Sequence, residues 1–266
     1  KAICLSNGGI LPKQENIQVL FKYQPADRIL REIYAGIGKT VRSVEAKSVR
    51  KGEKQVIAVY SPWNHRLRTP FALTAAEQLS AGKKVLYLNF SICNGFCKSM
   101  GLEPDVDMGD LFYLLREDEE ALLAKLKSGI YPLGSYQIIP PPSNPEHYME
   151  WRKGEVRHFL EILLEKTDFE VLVLDMGCVM NGFFEVLDLC GRIWILKEHW
   201  TSKDSGIEEL RELLEKFKAG LEERVEEVFL PGGQAWREDG TIQVEEFYMG
   251  EVGNCVRRLL GGEYAS

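Results

Sequence analysis

The 266 residues carry 33 Lys and Arg against 40 Asp and Glu, a formal net charge of -7, with 45% hydrophobic and 27% charged residues. This is an ordinary globular composition, with room for one large or two modest domains. The acidic balance argues against a dedicated nucleic-acid binder, and no apolar run approaches the ~20 residues that cross a bilayer. Six cysteines (Cys4, Cys93, Cys97, Cys178, Cys190, Cys255) are scattered along the chain, which fits reduced thiols in a cytoplasmic setting better than a disulfide framework. Cys93 and Cys97 have no second Cys or His pair at matching spacing, so they read as small, partly buried thiols rather than metal ligands. The chain opens on lysine with no signal-peptide pattern, as expected for a piece of a longer or processed protein.

In chain order, 2–5 and 17–21 are strand-like, and Ile29, Leu30 and Ile33 recur at helical spacing from Ala26 to about Gly36 and Gly38. Residues 39–54 are polar and basic with no apolar stripe, which predicts a linker between a small piece at 1–38 and a large domain at 55–266. In the large domain, short Val-, Ile- and Leu-rich runs predict strands at 55–60, 84–89, 136–140, 170–175, 192–197 and 225–230. Between them, amphipathic spacing predicts helices at 70–81, 108–116, 118–128, 150–166, 182–190, 205–220 and 252–260. Thr69-Pro70 reads as an N-cap followed by proline at the first helical position. Alternating strands and helices, with strands apolar on both sides, predict an α/β fold: a mostly parallel sheet with helices on both faces.

The loop Ser61-Pro62-Trp63-Asn64-His65-Arg66-Leu67-Arg68 lies between a strand and a helix, where many enzymes cradle phosphate, yet it contains no glycine. Asp175 closes the apolar run FEVLVLDMG, and LYLNFS at 86–91 closes the second strand of the large domain. His65, Arg66 and Arg68 gather positive or protonatable groups at a helix N-terminus, which favours anions. Trp63 reads either as a stacking or partner-insertion residue, or as a side chain tucked down to fill an empty pocket, the second being the simpler. Pro140-Pro141-Pro142 with Pro145 reads as a rigid connector at the carboxyl edge of the sheet, and His199-Trp200 as an exposed pair.

In order and phrasing, these landmarks resemble the MinD/ParA family of deviant Walker-motif ATPases over about 55–260, particularly its CpaE-like branch in pilus assembly. That branch joins a degenerate receiver domain to the ATPase domain, and Phe21-Lys22-Tyr23-Gln24-Pro25 followed by Ala26-Asp27-Arg28-Ile29-Leu30 resembles the end of a receiver domain. The resemblance implies a P-loop NTPase-like sheet of the SIMIBI/MinD type. Against the family's loop S-P-K-G-G-x-G-K-T-T, Trp63 stands at the signature lysine, and Asn64, His65 and Leu67 stand at the glycines. Arg68 replaces the phosphate-gripping lysine, Thr69 keeps the magnesium-binding hydroxyl, and Pro70 replaces the second threonine. Asn89 and Ser91 stand where the family has D-x-D, while Asp175 keeps the Walker B aspartate.

The resemblance therefore implies a vestigial nucleotide site at Trp63, His65, Arg66, Arg68, Thr69, Asn89 and Asp175. Thr69 and Asp175 are its metal ligands, and Asp175 its catalytic residue, only if ATP and magnesium bind. Glycines let successive amides turn toward phosphate, and an amide at 89 cannot replace a carboxylate at magnesium. The expectation is a catalytically inactive binding or localisation module with no cofactor. Its implied partners are a related protein or a second copy meeting it across the P-loop face. Two alternatives stay open: a divergent magnesium-dependent ATPase, and a sensor that binds a nucleotide or other anion without chemistry. The last helix, around Val256, Leu259 and Leu260, is too short and insufficiently basic for a direct membrane anchor.

Overall fold

The computed structural model describes residues 2–6, 17–21, 54–63, 65–92, 95–197, 205–230 and 242–261. The chain divides into two units, residues 1–49 and 50–266. In the first, β1 (Ala2–Ser6) and β2 (Ile17–Phe21) pair in parallel, Ala2 opposite Ile17 and Ser6 opposite Phe21. The helix expected after Ala26, and most of the linker at 39–54, lie outside the described residues.

The second unit is built on a sheet of seven strands: β3 (Gln55–Tyr60), β4 (Val85–Phe90), β5 (Tyr131–Leu133), β6 (Tyr136–Ile139), β7 (Val171–Met176), β8 (Arg192–Lys197) and β9 (Val225–Phe229). Their order is β5-β6-β4-β7-β3-β8-β9. Every pairing is parallel except β5 with β6, an edge hairpin. The sequence reading gave β6 but not β5: three residues with proline at the centre carry no period. Pro132 is tolerated there because an edge strand leaves one side unpaired.

Ten α-helices are described: α1 (Arg68–Ser80), α2 (Phe96–Ser99), α3 (Met108–Glu117), α4 (Glu119–Gly129), α5 (His147–Glu150), α6 (Glu155–Lys166), α7 (Phe183–Leu189), α8 (Ser205–Phe217), α9 (Val244–Met249) and α10 (Glu251–Leu259). They cover both faces of the sheet, because successive strand residues point to opposite sides. Ala58, Leu86, Leu88, Leu172, Leu174 and Ile193 enter one core, with apolar residues of α3, α4, α6, α7 and α8. Val59, Val85, Tyr87, Val173 and Trp194 enter the other, with Phe71, Ala75 and Leu79 of α1 and Val252 and Val256 of α10.

Three sequence expectations change. Helix 150–166 is two helices, α5 and α6. Between them Trp151 is extended and buried, and Gly154 takes φ 86°, a turn that a side chain would strain. The short α2 and α9 carried too few periodic residues to be read. The N-cap expected at Thr69 also moves: α1 starts at Arg68, Leu67 holds the cap position, and no side chain caps it. The Thr69 hydroxyl is engaged elsewhere.

Candidate functional site

Strand alternation decides what faces α1. On β4, Tyr87 and Asn89 share the face of Val85; on β7, Asp175 shares the face of Val171 and Val173. The β4–β7 register sets Asn89 directly opposite Asp175. Both lie near the carboxyl ends of their strands, where the first turn of α1 arrives from the loop after β3. Asn89 and Asp175 are fully buried, and Arg68 and Thr69 nearly so.

Asp175 is the centre of this cluster. Its Oδ1 accepts a hydrogen bond from Arg68 Nε, which is also an ion pair. Its Oδ2 accepts from Thr69 Oγ1 at 2.6 Å, Tyr87 Oη at 2.8 Å and Asn89 Nδ2 at 3.3 Å. Asn89 Nδ2 also donates to Tyr87 Oη at 3.0 Å, and Arg68 Nη2 donates to Ser91 Oγ at 2.7 Å. Burial, reinforced by the neighbouring Asp175 carboxylate, pushes the Tyr87 hydroxyl well above its ordinary range, so it stays a donor. Burial also pushes the nearby Cys178 thiol up to about 11 although Arg68 pulls it down, so it is protonated and a poor nucleophile near neutrality.

Why does Arg68 turn inward? A positive charge in the first turn of a helix is unfavourable against the helix dipole. A carboxylate removed from water costs far more unless a cation meets it. Pairing the two answers both demands, and Gly177 leaves the room. A Cβ at that position would come within 2.7 Å of Ser91 Cβ and closer still to Ser91 Oγ and Arg68 Nη2. Gly177→Ala is therefore expected to push the guanidinium off its seat and to lower stability by roughly 1–3 kcal/mol, the ordinary range of overpacking. Urea denaturation of the variant against wild type checks it.

The loop spends its own amides. His65 N–H donates to Ser61 Oγ at 3.3 Å, Leu67 N–H to His65 Nδ1 at 3.0 Å, and Arg68 N–H to His65 O at 2.9 Å. A glycine-rich loop aims such donors at phosphate; here they close the loop on itself. Trp63 is 52% exposed, so it does not fill the pocket as the simpler reading expected; Arg68 does. Arg66 is exposed, and Asn64, Cys93 and His199-Trp200 lie outside the described residues. Sequence reasoning missed Tyr87 and Gly177. Tyr87 was available from alternation, two positions before Asn89 on the same face.

Beyond Ser91 the edge opens into a cleft of about 420 Å³, walled by Phe96, Pro141, Pro142 and Pro145 and reached by Asp107, Asp110 and His147. Pro140 and Ser143 of the proline loop are both tied to the start of α3, by Met108 N–H to Pro140 O at 3.0 Å and by Ser143 N–H to Asp107 Oδ2 at 2.7 Å. This agrees with its reading as a rigid connector.

An alternating β–α chain with a parallel sheet, and a strand–loop–helix whose first turn meets an aspartate on the neighbouring strand, defines a P-loop NTPase-type fold. The chain has that fold in its ParA-like form. It is similar to a ParA family ATPase from Chlorobium tepidum, with TM-score 0.52 and 16% identity, over 76% of this chain and 81% of that one. A cobyrinic acid a,c-diamide synthase from Mycobacterium smegmatis, solved with an ATP analogue and magnesium, gives 0.51 and 14% over 79% and 98%. A plasmid partition protein from Borrelia burgdorferi gives 0.51 and 13% over 79% and 99%. No family model and no curated protein matches the sequence.

Magnesium does not fit the Asp175 carboxylate as it stands. Four protein donors already meet Asp175, the Arg68 guanidinium on Oδ1 and Thr69, Tyr87 and Asn89 on Oδ2. The guanidinium paired with that carboxylate would repel a second cation. Among the described residues, no group of three or more His, Cys, Asp or Glu side chains is placed to hold a metal ion.

Proposed function

We propose that this chain is a non-hydrolysing ATPase-fold module that works by binding another protein. The observation that carries the reading is Asp175, whose carboxylate is engaged at both oxygens by Arg68, Thr69, Tyr87 and Asn89. Phosphoryl transfer rests on positioned charge around magnesium and phosphate, and here that charge is turned onto the protein itself. The resemblance to the CpaE-like branch, with residues 1–38 as the end of a receiver-like domain, points to assembly of a pilus or secretion machine. Phosphate release should stay at background with magnesium and ATP. Turnover that disappears in Asp175→Asn would refute the reading.

The binding face in this reading is the carboxyl edge. Trp63 follows β3, Ile92 follows β4 and Val179 follows β7, three adjacent strands, and these side chains are 52%, 46% and 70% exposed. Such residues add little to the fold but suit a partner of the same class, a related ATPase-fold chain or a second copy. Trp63→Ala is expected to leave stability within about 0.5 kcal/mol and to weaken self-association or capture of a related chain at least tenfold. Urea denaturation of wild type against variant reads the first, and sedimentation the second. No described helix is long and apolar enough to cross a membrane.

A further inference from the structure

The misfit between these residues and magnesium has a positive side. Asp175 and Ser91, at the carboxyl ends of β7 and β4, hold the chain's own guanidinium, while Thr69 of α1 and Asn89 of β4 donate to the same carboxylate. Two edges of the fork are engaged on different strands' ends: Nε on Asp175 Oδ1, and Nη2 on Ser91 Oγ at 2.7 Å. Gly177 closes the slot so tightly that even a Cβ would collide with Ser91 and Arg68 Nη2. The slot suits a flat, forked cation, and an ammonium is a point charge that cannot span both acceptors in this way.

We propose that Arg68 is a built-in ligand: a tethered guanidinium seated on Asp175 and Ser91 that clamps the first turn of α1 to the ends of β4 and β7, so that this edge needs no ligand from solution. The proposal rests on the non-hydrolysing reading and adds how the site is regulated, which is that it stays set. The neighbouring carboxyl-edge face then binds its partner with or without nucleotide.

The test is chemical rescue. Arg68→Ala empties the slot and leaves Asp175 buried without its cation, so its melting temperature should fall by roughly 10 °C in a unit of this size. Guanidinium chloride at low millimolar concentration should recover at least half of that loss. Equal sodium chloride or urea should recover none, and the wild type should not respond. Arg68→Lys keeps the charge without the fork; it should melt between the two and show no guanidinium response. If Arg68→Ala does not yield folded protein, the lysine variant decides: melting at the wild-type temperature means that charge alone suffices and overturns the proposal. So would an Arg68→Ala variant as stable as wild type, or one recovered by magnesium rather than guanidinium. Phosphate release by the wild type would instead overturn the non-hydrolysing reading, whatever the melting curves show.

Discussion

Asp175→Ala is expected to lower the stability of the large unit by about 3–5 kcal/mol, the range for breaking a buried ion pair from one side. The loss comes less from the bond itself than from what stays behind. Arg68 would keep a buried charge with no counter-charge at Asp175, and Thr69 and Tyr87 would lose the acceptor for their hydroxyls. Asp175→Asn should also be costly, because its amide would present donors to Arg68 and Thr69. Removing both charges separates pair from solvation: Arg68→Met with Asp175→Leu should recover much of the loss, since apolar replacements of a buried pair are often neutral. A double-mutant cycle by urea denaturation reads all four states. If Asp175→Ala costs under about 1 kcal/mol, the pair is not the closed internal bridge described above.

Trp151→Ala should be comparably damaging, about 3–5 kcal/mol, as expected for a large buried aromatic. The indole stacks on Phe112 with ring centroids 4.0 Å apart and meets Phe90 and Tyr148 edge-on at 6.1 and 4.7 Å. Its backbone carbonyl accepts from Asn181 Nδ2 at 2.8 Å. Phe90 ends β4 and Tyr148 Oη donates to the Asn89 carbonyl at 3.1 Å, so the cavity would open beside the strand that carries Asn89. Thermal melting should show the contrast with Trp63→Ala: one tryptophan fills a core, the other faces outward.

The central strands were legible because burial on both faces leaves Val, Ile and Leu in nearly unbroken runs, as in VLVLDM. Their helices were legible from stripes such as Ile207, Leu210 and Leu214. Elements of three to six residues, β5, α2, α5 and α9, escaped because two or three positions cannot establish a period. The site was legible as a set of residues and not as an arrangement. The sequence shows Arg68 and Thr69 beginning a helix and Asp175 ending a strand, but side-chain direction depends on which buried charge needs a partner. A fully buried carboxylate draws in a cation, and Arg68 stands on its face. The sequence reading offered Arg68 to phosphate and Trp63 to the pocket; the physics of desolvation reverses those two roles.

The most direct test of the account is a calorimetric titration of the wild-type chain with ATP and then ADP, each with magnesium, while Trp63 fluorescence is followed. A site already filled by Arg68 predicts no binding heat and no fluorescence change at millimolar nucleotide. Saturable heat at one nucleotide per chain, with a fluorescence change lost in Trp63→Phe, would show that Arg68 gives way and would contradict the account.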